Sequence, residues 1–190
     1  MRSVRWALTG VVLVLVSCGG GSSPTSTDAV AEVVYNVGDT GPGGGIIFYV
    51  DESGFDSSSG VDTSIGAMCL IDTCHYLEMA MTDLEGSYSW DDAIVAAEAF
   101  STPSANDWVL PSLDALNQMC KYAFGDTMNH ICNDEGNGTF TNSVGGFSPD
   151  LYWSSSENVD YGAYVWVFMF GGYTANTKNV MYLVRPVRAF

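Results

Sequence analysis

Cysteine and histidine are the side chains of this 190-residue chain best suited to metal or covalent chemistry. His75 and His130 each stand next to or near a cysteine, which could indicate a zinc site. The chain has five cysteines, and setting Cys18 aside leaves four. Their spacings, C-x4-C and C-x11-C, do not match zinc knuckles, and an even number of cysteines in an exported protein favours disulfides. Three pairings are possible, and we expect the local one because each bond closes a short loop: Cys69 with Cys74, and Cys120 with Cys132.

A few hydroxyl and carboxylate groups have the types that catalysis requires. The run Ser154-Ser155-Ser156-Glu157 offers nucleophiles without a nearby base, and both histidines adjoin cysteines, so a Ser-His-Asp arrangement has few candidates. Hydrogen bonding at a strand end is the simpler role for these serines. Asp91-Asp92 fits the first turn of a helix better than an acid–base pair. We therefore expect no enzyme, no catalytic residue and no cofactor.

Two loops have the composition of ligand-binding loops. The glycine-rich segment 38–45 is followed by a strand and lacks the Gly-Lys-Ser/Thr of a phosphate-binding loop, so it predicts a tight turn. Segment 133–138 is similar to a calcium loop but lacks the alternating oxygen ligands and the final glutamate of an EF-hand. The sequence therefore predicts no metal site.

The first residues have the features of a bacterial export signal. Arg2 and Arg5 precede an apolar run, residues 11–16, that is too short to span a bilayer. The run ends in Leu-Val-Ser-Cys, which matches the lipobox of bacterial lipoproteins, so Cys18 is expected to be acylated. The alternative is an ordinary signal peptide that contains a cysteine. Gly19 after the cysteine fits display at the outer membrane or cell surface.

The remaining chain divides into a tether and one domain. We expect residues 1–17 to be the signal peptide, residues 18–34 a lipidated flexible tether rich in Gly, Ser and Thr, and residues 35–190 a single domain. Residues 1–17 hold two of the six basic residues and none of the 22 acidic ones, so their removal leaves a net charge of −18. This charge repels nucleic acid and anionic lipid, which leaves the lipid anchor as the membrane contact.

The pattern of apolar residues predicts an α+β fold. Residues 46–50 have the β-branched and aromatic content of a strand. Ser89 and Ser112 are placed to cap two helices, the second ending at Gly125. Residues 163–170 alternate with period 2, and residues 180–187 form the last predicted strand. We expect the two helices to pack on a mostly antiparallel twisted sheet.

Four segments occur in an order that resembles the Lcl C-terminal domain family. They are residues 38–49, 107–112, 152–157 and 184–188. The resemblance covers residues 35–190 and implies a C-type-lectin-like fold, found on secreted or lipid-anchored bacterial proteins that bind partners and have no known catalytic activity. Val109 departs from the family, which usually carries Arg between Trp and Leu-Pro.

A narrower resemblance concerns the C-terminal segment. Proteins diversified by retroelements carry a C-type-lectin-like domain that closes on a segment similar to residues 184–190, and residues 158–162 and 172–177 are similar to the diversified positions. The alternative is an undiversified family member with polar and aromatic loops.

The resemblance assigns the two faces of the strand within residues 163–170. Tyr164, Trp166 and Phe168 would pack into the core, and Val165, Val167 and Met169 would face outward. The alternative is that both faces of the strand are buried, as its apolar content alone suggests. An exposed apolar surface ringed by tyrosines favours a protein ligand. The sugar-binding signatures of calcium-dependent lectins are absent from the sequence, although a glycan- or matrix-binding adhesin stays the alternative. The predicted ligand-binding residues are Asn158, Val159, Asp160, Tyr161, Val165, Val167, Met169, Gly172, Tyr173, Thr174, Ala175, Thr177, Asn179 and Met181.

Overall fold

The computed structural model of the chain describes residues 33–55, 69, 73–125, 132, 144–160 and 162–190. All described helices and strands belong to residues 34–190, which form one compact unit. Cys18, the predicted signal peptide, His130, Tyr161 and segment 133–138 lie outside the described residues. Within the described residues, neither helix is long and apolar enough to cross a membrane.

Two helices and two antiparallel sheets confirm the α+β class. The elements in chain order are β1 (Ile46–Phe55), β2 (Cys74–Met79), α1 (Trp90–Ala99), α2 (Leu113–Phe124), β3 (Leu151–Asn158), β4 (Gly162–Val167), β5 (Gly172–Asn176) and β6 (Val187–Ala189). The strand orders are β1-β2-β6 and β3-β4-β5. The expectation of one sheet is wrong, because the last strand returns to pair with β2 while β3, β4 and β5 pair as consecutive hairpins.

Both helices begin at the predicted caps, and α2 ends at the predicted Gly125. The Ser89 hydroxyl accepts a hydrogen bond from the Asp92 backbone N–H at 3.4 Å, and the Ser112 hydroxyl accepts one from the Ala115 N–H at 3.1 Å. Gly125 closes α2 in the left-handed conformation, with φ of 67°. These caps satisfy backbone groups that have no partner within the helix.

Strands β3 and β4 are covered on both faces, whereas no residue of the edge strand β5 is fully buried. On one face, Tyr152 and Trp166 join the larger apolar cluster that includes α2 residues. On the other face, Trp153 and Val165 join a second cluster with the α1 residues Ala93 and Ala97. A strand covered on both sides explains why the segment is apolar at every position.

Two of the predicted strands are shorter than expected. Strand β4 ends at Val167 because the backbone N–H groups of Phe170 and Gly171 both donate to the Val167 carbonyl and turn the chain. In the last forty residues, the predicted strand 180–187 is reduced to bridges at Tyr182 and Leu183, with regular pairing only from Val187.

The predicted disulfide pairing is confirmed. Cys69 is bonded to Cys74 and Cys120 to Cys132, with Cα–Cα distances of 5.8 and 5.9 Å. The second bond ties residue 132 to the buried side of α2, where both sulfurs lie in the larger apolar cluster.

Candidate functional site

The glycine-rich loop that begins the domain is wrapped around a buried carboxylate. Glu78 on β2 accepts hydrogen bonds from the backbone N–H groups of Gly43 at 3.0 Å and Gly45 at 2.6 Å. A Cβ placed on Gly41 would lie 2.5 Å from the Glu78 carboxyl carbon, so the close approach requires glycine. The N–H groups that could bind a phosphate are therefore turned towards an internal anion, which agrees with the predicted structural turn.

Arg188 joins this loop to the segment between the helices. Its Nη1 donates to Glu78 Oε2 at 2.9 Å, and its Nε and Nη2 donate to the two Asp107 oxygens at 2.7 and 3.0 Å. The hydrogen bond from Arg188 holds the pKa of Asp107 below its ordinary value. Val109 pairs with Val187 through two backbone hydrogen bonds of 2.8 and 3.0 Å, so the main chain also joins the segment between the helices to β6.

Arg185 is the second fixed arginine and is completely buried. Its Nε donates to Asp83 at 2.6 Å, and its Nη1 and Nη2 donate to the carbonyls of Gly145 and Gly146 at 2.8 and 3.1 Å. Asp83 also accepts from the Tyr152 hydroxyl at 2.7 Å. Burial, followed by the Asp83 charge, raises the pKa of Tyr152. The loop after β2 and the loop before β3 thus meet at one guanidinium, and Asp83 joins β3 to it through Tyr152.

The serines of β3 have structural roles, as the sequence predicts. The Ser154 hydroxyl donates to the Tyr164 carbonyl at 2.8 Å, and the Ser156 hydroxyl accepts from the Leu113 N–H at 3.0 Å. Both serines are buried, so their hydroxyls serve to join β3 to β4 and to the start of α2.

The turn between β3 and β4 presents the first predicted ligand-binding residues. Val159 is 99% exposed, and Asp160 is exposed beside it. Asn158 is half-buried, and its side-chain amide donates to the Tyr164 hydroxyl at 2.9 Å while its Oδ1 accepts from the Asp160 N–H at 3.1 Å. Val159 and Asp160 therefore present an apolar and an acidic side chain to solvent beside Asn158.

The turn after β4 and the strand β5 present the next group. Met169 and Phe170 are exposed in the turn, and Thr174 is exposed on β5. Tyr173 is 48% exposed while its ring lies 5.9 Å from that of Trp166, so one part packs on the core and the rest faces solvent. Gly172 and Ala175 are half-buried.

The segment after β5 contributes the last group. Thr177 and Asn179 are exposed and joined by a 2.8 Å hydrogen bond, and Met181 is 53% exposed. Lys178 between them pairs with Glu157 at 2.7 Å and lies 3.8 Å above the Trp90 ring, so its charge is already neutralised.

The predicted outward face of β4 is wrong at Val165. This side chain has no exposed surface and lies in the second apolar cluster, and Val167 is half-buried. The cause is the small side chains of Ala93 and Ala97, which place α1 in the cluster that covers this face. Tyr164, Trp166 and Phe168 pack on the core as predicted.

The predicted residues do not form one compact patch. Asn158 pairs with Gly162 at one end of β4, whereas Val167 pairs with Gly172 at the other end, about 17 Å away for a strand of this length. Edge strand β5 connects the two ends. We call the residues along this path, from Asn158 to Asp160, Met169 to Ala175 and Thr177 to Met181, the display band. Its exposed members are Val159, Asp160, Met169, Phe170, Tyr173, Thr174, Thr177, Asn179 and Met181.

The described residues define an α+β domain with two features. One is a fixed frame, formed by the buried contacts of Glu78, Arg185 and Arg188, and the other is the display band. No group of three or more His, Cys, Asp or Glu side chains within them is placed to hold a metal ion. Compared with protein-family models and with curated protein sequences, the chain shows no match. The fixed frame and the display band are therefore the features of the described residues that bear on function.

Proposed function

We propose that this chain is a lipid-anchored ligand-binding domain displayed at the bacterial cell surface, with a C-type-lectin-like fold and the display band as its binding face. The observation that carries the proposal is the separation between buried ionic contacts and exposed apolar residues. Arg185 and Arg188 are fixed by carboxylates and carbonyls, and no residue of the display band takes part in those contacts.

The chemistry of the display band favours a protein ligand. Five large apolar side chains are exposed in it: Val159, Met169, Phe170, Tyr173 and Met181. Aromatic residues and methionine are enriched in protein interfaces relative to the rest of the surface. Asp160 carries the band's one unpaired acidic charge among the described residues, so few charges oppose burial against a partner.

The geometry of β5 supports binding without large rearrangement. Its five residues pair with β4 in unbroken register, from Val167 with Gly172 to Ala163 with Asn176. Tyr173 is held against Trp166 and Tyr164 by ring contacts at 5.9 and 5.8 Å. A binding surface that is already ordered loses less conformational entropy when the ligand binds.

A binding experiment with matched variants tests the proposed face. The full chain, displayed on bacterial cells, is measured against arrays of purified extracellular proteins and of glycans, with and without calcium. We expect protein binding that falls at least tenfold in Tyr173→Asp and Val159→Asp, because a charge is placed in an apolar interface. Val95→Asp is the control, since Val95 is 65% exposed on α1 outside the band.

Two outcomes would contradict this assignment. Binding to glycans alone, and only with calcium, would favour the adhesin alternative. Equal loss in Val95→Asp and Tyr173→Asp would show that the display band is not the binding face.

We also propose that the display band is diversified by a retroelement. The lipid anchor at Cys18 and this diversification have separate tests. Palmitate labelling of the wild type and of Cys18→Ala should differ, and equal labelling would refute acylation of Cys18. A near-copy of the DNA that encodes the tail, beside a reverse transcriptase gene and differing at template adenines, would support diversification, and its absence would remove that part of the proposal.

A further inference from the structure

A solvent-open cleft lies between the loop after β2, residues 83–87, and residues 181–183. Its volume is about 490 Å³, within the range of small-ligand sites. The lining residues are Asp83, Leu84, Gly86, Ser87, Asp150, Met181, Tyr182 and Leu183. Met181 alone belongs to the display band, and the others were not predicted as site residues.

The cleft combines apolar walls with a carboxylate that has capacity for a ligand. Asp83 already pairs with Arg185 and the Tyr152 hydroxyl, so its charge is neutralised from the protein interior. Asp150 is exposed, and its Oδ1 accepts one hydrogen bond, from the Leu151 N–H at 2.8 Å. Among the described contacts, the second Asp150 oxygen is therefore available to a donor from outside.

The remaining groups suit an aliphatic cation. Leu84, Met181 and Leu183 provide apolar surface for a methylene chain, and neither lysine nor arginine is among the residues that line the cleft. The ring of Tyr182 adds an aromatic wall, which can attract a cation through its face. The Asp150 charge acts on the Tyr182 hydroxyl and, after burial, is the second cause that raises the pKa of Tyr182.

We propose that this cleft receives a lysine side chain of a protein partner, with its ammonium group on Asp150 and its methylene chain against Met181. The inference rests on the proposed function, because Met181 joins the cleft to the display band and one partner would cover both. The net charge of −16 attracts a basic partner over a distance and raises its association rate.

The test measures binding of defined probes to the full chain by the NMR shift of the Met181 methyl group. The probes are a capped Gly-Lys-Gly peptide, the same peptide with norleucine in place of lysine, and butylammonium. We expect saturable binding of the lysine peptide, with the norleucine peptide about fivefold weaker because it lacks the charge.

Two variants that each remove one negative charge test whether binding of the lysine peptide depends on Asp150. Asp150→Asn keeps the oxygen that accepts from Leu151, and it should weaken the lysine peptide about fivefold while leaving the norleucine peptide unchanged. Glu85→Gln is the control, because Glu85 is exposed in the same loop but does not line the cleft. It should bind both peptides as the wild type does.

Several results would overturn the inference. They are equal binding of the two peptides, equal weakening by Glu85→Gln, or no Met181 shift up to the solubility limit of the probes. Butylammonium reproduces the lysine side chain and should bind about as tightly as the lysine peptide, so binding of the peptide without binding of butylammonium would also overturn the inference. If Tyr173→Asp abolishes binding of the protein ligand and Asp150→Asn does not change it, the cleft inference fails while the proposed function stands.

Discussion

Glu78 and Arg188 form a 2.9 Å ion pair beneath the glycine-rich loop, and the Glu78 side chain is completely buried. The pair joins β2 to β6, and the same carboxylate holds the loop through two backbone N–H groups. One acidic side chain therefore connects the first loop of the domain with its last strand. Breaking this contact should affect the whole domain.

Glu78→Gln should destabilise the domain by about 3–5 kcal/mol, because it leaves a partly buried guanidinium and two loop N–H groups facing a neutral amide. Urea unfolding at neutral pH measures the change. The control is Glu157→Gln, which removes an exposed pair with Lys178 and should cost less than about 1 kcal/mol. Similar losses in the two variants would contradict the central role of Glu78.

Gly45→Ala should be strongly destabilising, by about 2–4 kcal/mol, because the added Cβ would overlap the Met79 carbonyl oxygen on β2. Gly172→Ala is the matched control, since a Cβ there meets no atom within 4 Å. Its thermal midpoint should stay close to that of the wild type. If Gly45→Ala also folds with an unchanged midpoint, the loop does not approach β2 as closely as described.

The stability of the domain should depend on pH through Asp107. The Arg188 hydrogen bond lowers the pKa of Asp107 below 3.8 in the folded state, so the pair stabilises the domain above about pH 4. This contribution is lost as the pH falls through the lowered pKa. Asp107→Asn should reduce the free energy of unfolding by about 1 kcal/mol at pH 7, and the difference from the wild type should vanish at the acid end.

Unfolding free energies measured from pH 7 to pH 2 check this prediction. Asp160→Asn serves as the control, because Asp160 is exposed in a turn without an ion pair among the described contacts. A difference between Asp107→Asn and the wild type that is the same at all pH values would exclude the proposed linkage.

Val165→Asp and Val159→Asp should behave in opposite ways, although both lie in the segment predicted to bind ligand. Val165 is fully buried between β3 and α1, so an aspartate there should cost more than about 3 kcal/mol or prevent folding. Val159 is almost fully exposed, and its replacement should change stability by less than about 0.5 kcal/mol. Circular dichroism and thermal unfolding of the two variants distinguish these outcomes.

Local signals in the sequence predicted the local parts of the fold. The helix caps at Ser89, Ser112 and Gly125 depend on residues within one turn, so their chemistry can be read directly from the chain. The disulfide pairing was also predictable, because short loops were favoured among three possibilities. The division into two sheets was not, since it depends on β6 pairing with β2 more than a hundred residues earlier.

The candidate site was predicted less completely, for a similar reason. Alternation showed that β4 has two apolar faces, but it could not show that α1 covers the face of Val165. The role of Glu78 was missed, although a lone acid in the apolar run from Leu77 to Ala80 is a signal for a buried partner. Asp150 and Tyr182 line the cleft together with residues 83–87, which are far from them in sequence. This contact could not be predicted from local patterns.

The buried arginine contacts also bear on how this domain can change over generations. Arg185 and Arg188 hold their partners with side chains and carbonyls that lie outside the display band, so substitutions at Val159 or Thr174 leave those contacts in place. Under the proposed function, natural selection on such positions acts on recognition and hardly on folding. A lineage would then replace them one at a time and acquire a new ligand without passing through an unstable intermediate.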